Sequence, residues 1–226
     1  MRTVFIHGAG SSGAQAWPKQ ASGALPGEDF RFLERIAPGD NPSEVVAKAR
    51  GEVGAAAHVV GHSYGGITAL LLAHQRGASV ATLILVEPAL PSIARGWPGV
   101  EAHVQAMAPV LAHRHDPNVT AVDFSRLFAA ASGIPIPDVP LDVLEDNVAR
   151  LRATIPPWEI NVDPTVVSTL PTLVLTGGWN AMYEEIATVL KGIGADHVVL
   201  EGFRHRVQDH PDALPTMRAF WARHET

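Results

Sequence analysis

Short apolar runs alternate along this chain with segments in which apolar residues recur at helical spacing. Runs of four or five residues with mostly β-branched and other apolar side chains are typical of buried strands; they lie at 3–6, 30–33, 57–60, 82–86, 172–176 and 197–200. Helical spacing is found at 67–74, 183–190 and 214–224. This alternation predicts an α/β fold, in which a mainly parallel sheet is flanked by helices.

The alternation is interrupted between residues 88 and 170. Prolines divide this region, no strand pattern is found in it, and helical patterns lie at 104–111, 124–131 and 141–155. We therefore expect residues 1–87 and 171–226 to form an α/β core and residues 88–170 to form a helical lid inserted between two core strands.

Composition narrows the classes of function. A chain of 226 residues with 46% apolar and 18% charged residues fits one globular domain. The net charge of −6 argues against nucleic-acid and anionic-membrane partners, and no apolar run approaches the roughly 20 residues of a membrane-spanning helix. With no cysteine, thiolate chemistry is excluded. We expect a soluble cytoplasmic protein that acts on a small molecule, and the oligomeric state is left open.

The clearest chemical motif begins at Gly61 and continues through His62, Ser63, Tyr64 and Gly65. It follows a predicted strand and precedes a predicted helix, which is the setting of a G-x-S-x-G nucleophile elbow. A serine on such a tight turn projects its hydroxyl beyond the sheet, and bulky residues two positions away would collide with the strand and helix. Ser63 is therefore the candidate nucleophile.

With this motif the sequence resembles the α/β-hydrolase superfamily over nearly its whole length, except for the predicted lid. The resemblance implies a trimmed sheet of about six strands. His7 and Gly8 follow the first predicted strand, as the family's HG-x loop does. That loop supplies one oxyanion-hole amide, which carries over to Ala9 or, as the alternative, to Gly10. The second amide belongs to the residue after the nucleophile, Tyr64.

The same resemblance selects a base from the chain's eleven histidines. The family order of serine, acid and histidine, with the histidine after the last strand, points to His205. His210 is the rival and is interpreted as a capping or surface residue. His62 is expected to pack or to hydrogen-bond within the elbow. The histidine-rich run at 113–116 lacks a third ligand at metal-binding spacing, so we predict no metal and no cofactor.

The acid departs from the commonest family pattern, because Asn180 occupies the usual position of the aspartate. An amide cannot stabilise an imidazolium as a carboxylate does. Some members, including haloalkane dehalogenases and some lactone hydrolases, carry the acid after the preceding strand, and Glu87 occupies that place, 24 residues after Ser63. Glu87 is therefore the preferred acid, and the fallback carboxylates are Glu184, Glu185 and Asp209.

Aromatic residues in and beside the lid are candidates for a hydrophobic substrate pocket, although they could equally form the lid's own core; they are Trp97, Phe124, Phe128, Trp158 and Trp179. The expected activity is hydrolysis of a small, uncharged carboxylic ester, lactone or thioester through an acyl-enzyme. Two alternatives stay open: C–C hydrolysis, perhydrolysis or a lyase reaction on the same scaffold, and a non-catalytic ligand-binding relative.

Overall fold

A computed structural model describes residues 1–35, 41–76 and 79–225 of the chain, and of Arg76 only the backbone. Its centre is a six-stranded sheet in the order β2-β1-β3-β4-β5-β6, in which every neighbouring pair is parallel. The strands are β1 (Arg2–Ile6), β2 (Asp29–Phe32), β3 (Ala57–His62), β4 (Val80–Val86), β5 (Thr172–Thr176) and β6 (Asp196–Val199). All six strands predicted from the sequence are present, and their bounds differ by at most two residues from those expected.

Helices cover both faces of the sheet. They are α1 (Pro18–Ser22), α2 (Pro42–Val53), α3 (Gly65–Arg76), α4 (Pro98–Ala112), α5 (Ala121–Ser132), α6 (Leu141–Ala153), α7 (Ala181–Ile193) and α8 (Ala213–His224). Side chains alternate between the faces along each strand. Val4 and Val59 therefore pack in one apolar cluster with residues of α2, α3 and α7, whereas Phe5 and Val60 pack in a second with α8. The predicted α/β fold is confirmed.

Helix α2 was not predicted, although the sequence contains its start signals. Asn41 accepts a hydrogen bond from the amide of Ser43 through its side chain, and Pro42 occupies the first turn. This is a standard N-terminal capping arrangement. The alanine- and glycine-rich sequence at the end of the helix obscured the helical pattern that precedes it.

Residues 88–170, here called the insertion, connect β4 to β5 and contain α4, α5 and α6. The three helices enclose a small apolar cluster of their own, formed by Met107, Val110, Leu111, Phe124 and Val148. Helix α4 begins six residues before its predicted start and includes Pro109. The insertion thus leaves the sheet at the carboxyl end of β4 and has an apolar cluster of its own, while Val100 of α4 packs in the main cluster together with residues of α7.

The first turn of α4 is fixed to the first turns of α7. A Cβ added at Gly99 would lie 2.6 Å from the Cβ of Ala181, so the two helices are in close contact. Both carboxylate oxygens of Glu185 accept hydrogen bonds, from the amides of Gly99 and Val100 at 2.8 Å each. Glu185, a fallback candidate for the catalytic acid, therefore serves instead as the cap of α4.

Candidate active site

Ser63 lies on a strained turn between β3 and α3. Its φ is 54°, in the left-handed region that non-glycine residues rarely adopt. The flanking glycines permit the turn: a Cβ at Gly61 would lie 2.7 Å from that of Ala69, and one at Gly65 would lie 2.6 Å from the carbonyl oxygen of Ile6. The turn therefore requires glycine at both positions, as the elbow motif predicted.

His205 reaches Ser63 from the loop after β6. This loop contains a 3₁₀ helix, Arg204–Asp209, and its Arg204 has a φ of 45°. The Nε2 of His205 lies 3.0 Å from the Oγ of Ser63, which is hydrogen-bonding distance for a nucleophile and its base. The structure thus brings together two residues that are 142 positions apart in the chain.

His62 anchors the backbone of this loop to the elbow. Its Nε2 lies 2.9 Å from the carbonyl oxygen of His205, and the two imidazole centres are 4.8 Å apart. Burial, followed by the nearby charges of His205 and Arg206, holds the pKa of His62 well below the usual value. His62 is therefore neutral at pH 7, and its Nε2–H donates to the carbonyl, in agreement with the expected hydrogen-bonding role.

Glu87 directly follows β4, has a φ of 44° and is 0% exposed. Its Oε1 accepts a hydrogen bond from the amide of Gly177 at 2.7 Å, and its Oε2 accepts one from the indole Nε1–H of Trp179 at 3.0 Å. The same Oε2 lies 3.5 Å from the Nδ1 of His205. Two donors thus hold a buried carboxylate next to Nδ1, at the edge of the imidazole ring that points away from Ser63. This is the position of a triad acid.

The other candidate acids are occupied elsewhere. The Oδ1 of Asn180 accepts from the amide of Met182 at 2.9 Å and caps α7. Glu184 accepts from the hydroxyl of Thr176, and Asp209 pairs with Arg206. The family's usual acid position therefore has a structural task in this chain, and Glu87 is the carboxylate that lies next to His205.

The loop after β1 packs directly against the elbow. A Cβ added at Gly8 would lie 3.1 Å from the Cβ of Ser63, which is closer than such carbons usually approach, so the two backbones lie very near each other here. The guanidinium Nη2 of Arg35 donates to the carbonyl oxygens of Ala9 and Ser11 at 3.0 and 2.8 Å. The structure thus places the loop that carries Ala9 beside Ser63, and it adds Arg35, which no motif indicated, as the residue that fixes this loop.

Two further side chains near His205 had no sequence signal. The ring of Tyr183, on α7, stacks on the imidazole of His205 with centres 5.2 Å apart and an interplanar angle of 27°. On α4, burial and the neighbouring charge of His205 lower the pKa of His103 to about 4. Both residues reach the site through helix packing that a local pattern does not record.

The aromatic candidates divide into two groups. Phe124, Phe128 and Trp158 pack in the insertion's own cluster, which is the alternative that the sequence left open, and the fully buried Phe124 is reassigned from the pocket to this core. Trp97 is 40% exposed. Trp179 remains at the site, because it contacts Glu87 and its ring centre lies 6.4 Å from that of His205.

Trp179 also borders a groove of about 480 Å³ between the insertion and the core. The insertion contributes the end of α5, including Ala130, Ala131 and Gly133, and the core contributes Asn180 and Arg204. Trp179 therefore forms part of the wall of the groove and also donates a hydrogen bond to Glu87.

Within residues 1–35, 41–76 and 79–225, no group of three or more histidine, aspartate or glutamate side chains is arranged to hold a metal ion. None of the helices in those ranges combines the length and the apolar character needed to cross a membrane.

Solved structures of other proteins superpose on this fold. Among solved structures, NosK from Streptomyces actuosus superposes with a TM-score of 0.65 at 17% identity, covering 99% of this chain and 98% of its own. A structure from a study of carboxylesterases of the thaumarchaeon Nitrososphaera gargenis gives 0.67 at 15%, covering 98% and 89%. Est816, described as an N-acyl homoserine lactone degrading enzyme, gives 0.60 at 17%, covering 97% and 93%.

At these identities the superpositions show the fold alone. A search of curated protein sequences gave no significant match. The family comparison is specific, because residues 3–214 match the model described as the alpha/beta hydrolase family. That match spans the elbow, the insertion and the loop of His205, and this chain therefore belongs to the alpha/beta hydrolase family.

Proposed function

We propose that this protein is a serine hydrolase that cleaves a small, uncharged carboxylic ester, lactone or thioester through an acyl-enzyme. The observation that carries the proposal is the connected arrangement of Ser63, His205 and Glu87, with separations of 3.0 and 3.5 Å. Three residues from distant parts of the chain meet in the order and roles of a nucleophile, a base and an orienting acid.

The first half of the reaction follows from these contacts. His205 Nε2 accepts the Ser63 proton while Oγ attacks the substrate carbonyl carbon. The resulting imidazolium is stabilised by the buried Glu87 carboxylate, which also holds Nδ1 in its protonated state. The oxyanion is assigned to the backbone amides of Ala9 and Tyr64, and the loss of one such donor typically costs about 3 kcal/mol of transition-state stabilisation.

In the second half, His205 returns its proton to the leaving alcohol or thiol. Water then enters, gives a proton to His205 and attacks the acyl-enzyme carbonyl. The bond between the acyl carbon and Ser63 Oγ breaks, His205 returns the proton to that oxygen, and the carboxylic acid departs. The insertion, acting as a lid, limits access of bulk water to the site. The residues involved need no metal or organic cofactor for this sequence of steps.

The choice of substrate class rests on the groove and on the family. The groove is lined by Ala130, Ala131, Gly133 and the ring of Trp179 together with the polar Ser132, Asn180 and Arg204, so it offers both apolar contacts and hydrogen-bonding groups to the acyl or alcohol part of an uncharged substrate. Similarity in fold to carboxylesterases and to a lactone-degrading enzyme is consistent with an ester or lactone bond.

The proposal is tested by covalent labelling. The wild-type protein and Ser63→Ala are incubated with a fluorophosphonate, and intact mass is recorded alongside turnover of p-nitrophenyl esters, lactones and thioesters. We expect one adduct on the wild type and none on the variant, with turnover of at least one acyl class. A folded wild type that forms no adduct and turns over no acyl substrate would contradict a serine hydrolase.

A further inference from the structure

Tyr183 contacts both members of the nucleophile–base pair. It is the third residue of α7, it is 3% exposed, and its ring covers one face of the His205 imidazole. The mechanism above does not use this residue. A buried phenol against a catalytic histidine is therefore a polar group whose presence needs a physical reason.

The hydroxyl end of Tyr183 lies at Ser63. Its pKa is raised well above the usual value, first by burial and then by the charge of Glu87, while a side-chain hydrogen bond with Ser63 acts in the opposite direction. The phenol therefore keeps its proton at any working pH, so it can donate a hydrogen bond and does not act as a base. This hydroxyl group also lies beside the Oγ of Ser63, which in turn lies 3.0 Å from the Nε2 of His205.

The two sides of the tetrahedral intermediate differ in what they require. Its oxyanion is assigned to the amides of Ala9 and Tyr64. Its leaving-group oxygen must come within hydrogen-bonding distance of His205 Nε2, because that nitrogen supplies its proton. Tyr183 stacks on His205 and reaches Ser63, so its hydroxyl is on the histidine side of the intermediate.

We propose that Tyr183 is a catalytic hydrogen-bond donor to the leaving-group oxygen, an inference that rests on the function proposed above. As the intermediate collapses, the bond between carbonyl carbon and leaving oxygen breaks, and its electron pair goes to that oxygen. The proton moves from His205 Nε2 to the oxygen, and the acyl carbonyl re-forms. Tyr183 keeps its own proton and stabilises the negative charge that develops before the transfer is complete.

This role predicts a dependence on the leaving group. An alkoxide is a strong base and leaves only with help, whereas p-nitrophenolate is a stable anion that needs little. Removal of one donor to a charged oxygen should therefore lower kcat/KM for the hydrolysis of alkyl esters by about 10- to 100-fold. For esters of p-nitrophenol with the same acyl group, kcat/KM should change by less than about threefold, since the departing p-nitrophenolate needs no hydrogen-bond donor.

The test compares wild type with Tyr183→Phe, which keeps the ring on His205 and removes only the hydroxyl. Values of kcat/KM are measured for a series of esters with one acyl group and alcohols of increasing pKa. A loss that grows with the pKa of the alcohol supports the proposal. An equal loss for all esters indicates a packing role and overturns it, and so does a gain, which would mean that the phenol only restrains Ser63.

Two controls separate this inference from the function on which it rests. Fluorophosphonate labelling of Ser63 is measured in both proteins; a wild type without labelling or ester turnover overturns the proposed function, and the inference falls with it. Normal labelling combined with a leaving-group dependence identical to wild type overturns the inference alone. If Tyr183→Phe unfolds, Tyr183→Met also lacks the hydroxyl and must show the same selective loss.

Discussion

Replacement of Glu87 by glutamine tests the most unusual part of the site. The change keeps the shape of the side chain but removes its charge and one of its two acceptor oxygens. In the structure those oxygens accept from two different donors, Gly177 and Trp179. Whichever way the amide is turned, one donor faces an NH₂ group, and an NH₂ directed at His205 Nδ1 favours the wrong tautomer of the base.

The magnitude follows from the separation of 3.5 Å between Glu87 Oε2 and His205 Nδ1. Unit charges at this distance interact by about 5 kcal/mol at an effective dielectric constant of about 20. This interaction stabilises the imidazolium that forms when His205 accepts the Ser63 proton, so it lowers the barrier. Glu87→Gln should therefore reduce kcat by about 10³- to 10⁴-fold, since each 1.4 kcal/mol is about tenfold.

The assay is steady-state hydrolysis of a p-nitrophenyl ester, together with the second-order rate of fluorophosphonate labelling at Ser63. Asn180→Ala is the matched control, because Asn180 occupies the family's usual acid position but caps α7 here. It should lose about 1 kcal/mol of stability and less than about threefold in kcat. A folded Glu87→Gln protein with turnover within about tenfold of wild type would refute the assignment of Glu87.

Three further predictions concern the surroundings of the triad. His62→Phe removes the donor to the carbonyl of His205 and should lower kcat/KM by about tenfold, with a cost of about 1–3 kcal/mol in stability; unchanged ester turnover would argue against this anchor. Glu185→Ala should lower the unfolding free energy by about 1–2 kcal/mol, because two amides at the start of α4 lose their acceptor. Chemical denaturation and limited proteolysis of the insertion measure that effect. His103 has a pKa of about 4 in the folded chain, below the 6.5 of an unperturbed histidine, so the unfolded state binds more protons between these values and stability falls as pH decreases through that window. Between pH 7 and pH 4.5, the unfolding free energy of His103→Gln should therefore fall by about 2 kcal/mol less than that of wild type. Thermal unfolding at a series of pH values measures this difference, and an equal fall in both proteins would contradict it.

The fold could be predicted from the sequence because its strands are short and the central ones are mostly apolar. Residues 172–176 are all buried in β5, as the run of apolar and β-branched side chains predicted. Helix α2 was missed since its capping signal at Asn41 precedes a segment of weak helical pattern. Helix α4 was placed too late because Pro98 suggested a break, whereas proline is well tolerated in the first turn of a helix.

The candidate site was predictable where residues follow strands directly, and the family resemblance added His205 on the loop after β6. Ser63 and Glu87 come immediately after β3 and β4, so a strand prediction also places them at one edge of the sheet. Tyr183, His103 and Arg35 reach the site by packing of helices and loops, and no spacing along the chain encodes such contacts. For Phe124, the sequence showed an aromatic residue in a helix but not whether its side chain points to the insertion's own cluster or to a pocket.

The backbone angles around the triad have a consequence for engineering this protein. Within the described parts of the chain, the non-glycine residues with positive φ are Ser63, Glu87 and Arg204, and each such position typically costs about 1–3 kcal/mol. Selection for heat resistance alone should therefore reach Arg204 first, because glycine there relieves the strain without removing a triad side chain. Replacing Ser63 by glycine would gain stability at the cost of the nucleophile, whereas glycine at Glu87 would leave the buried donors of Gly177 and Trp179 without an acceptor. Heat-resistant descendants of this sequence are therefore expected to change Arg204, or to change Ser63 and lose their activity.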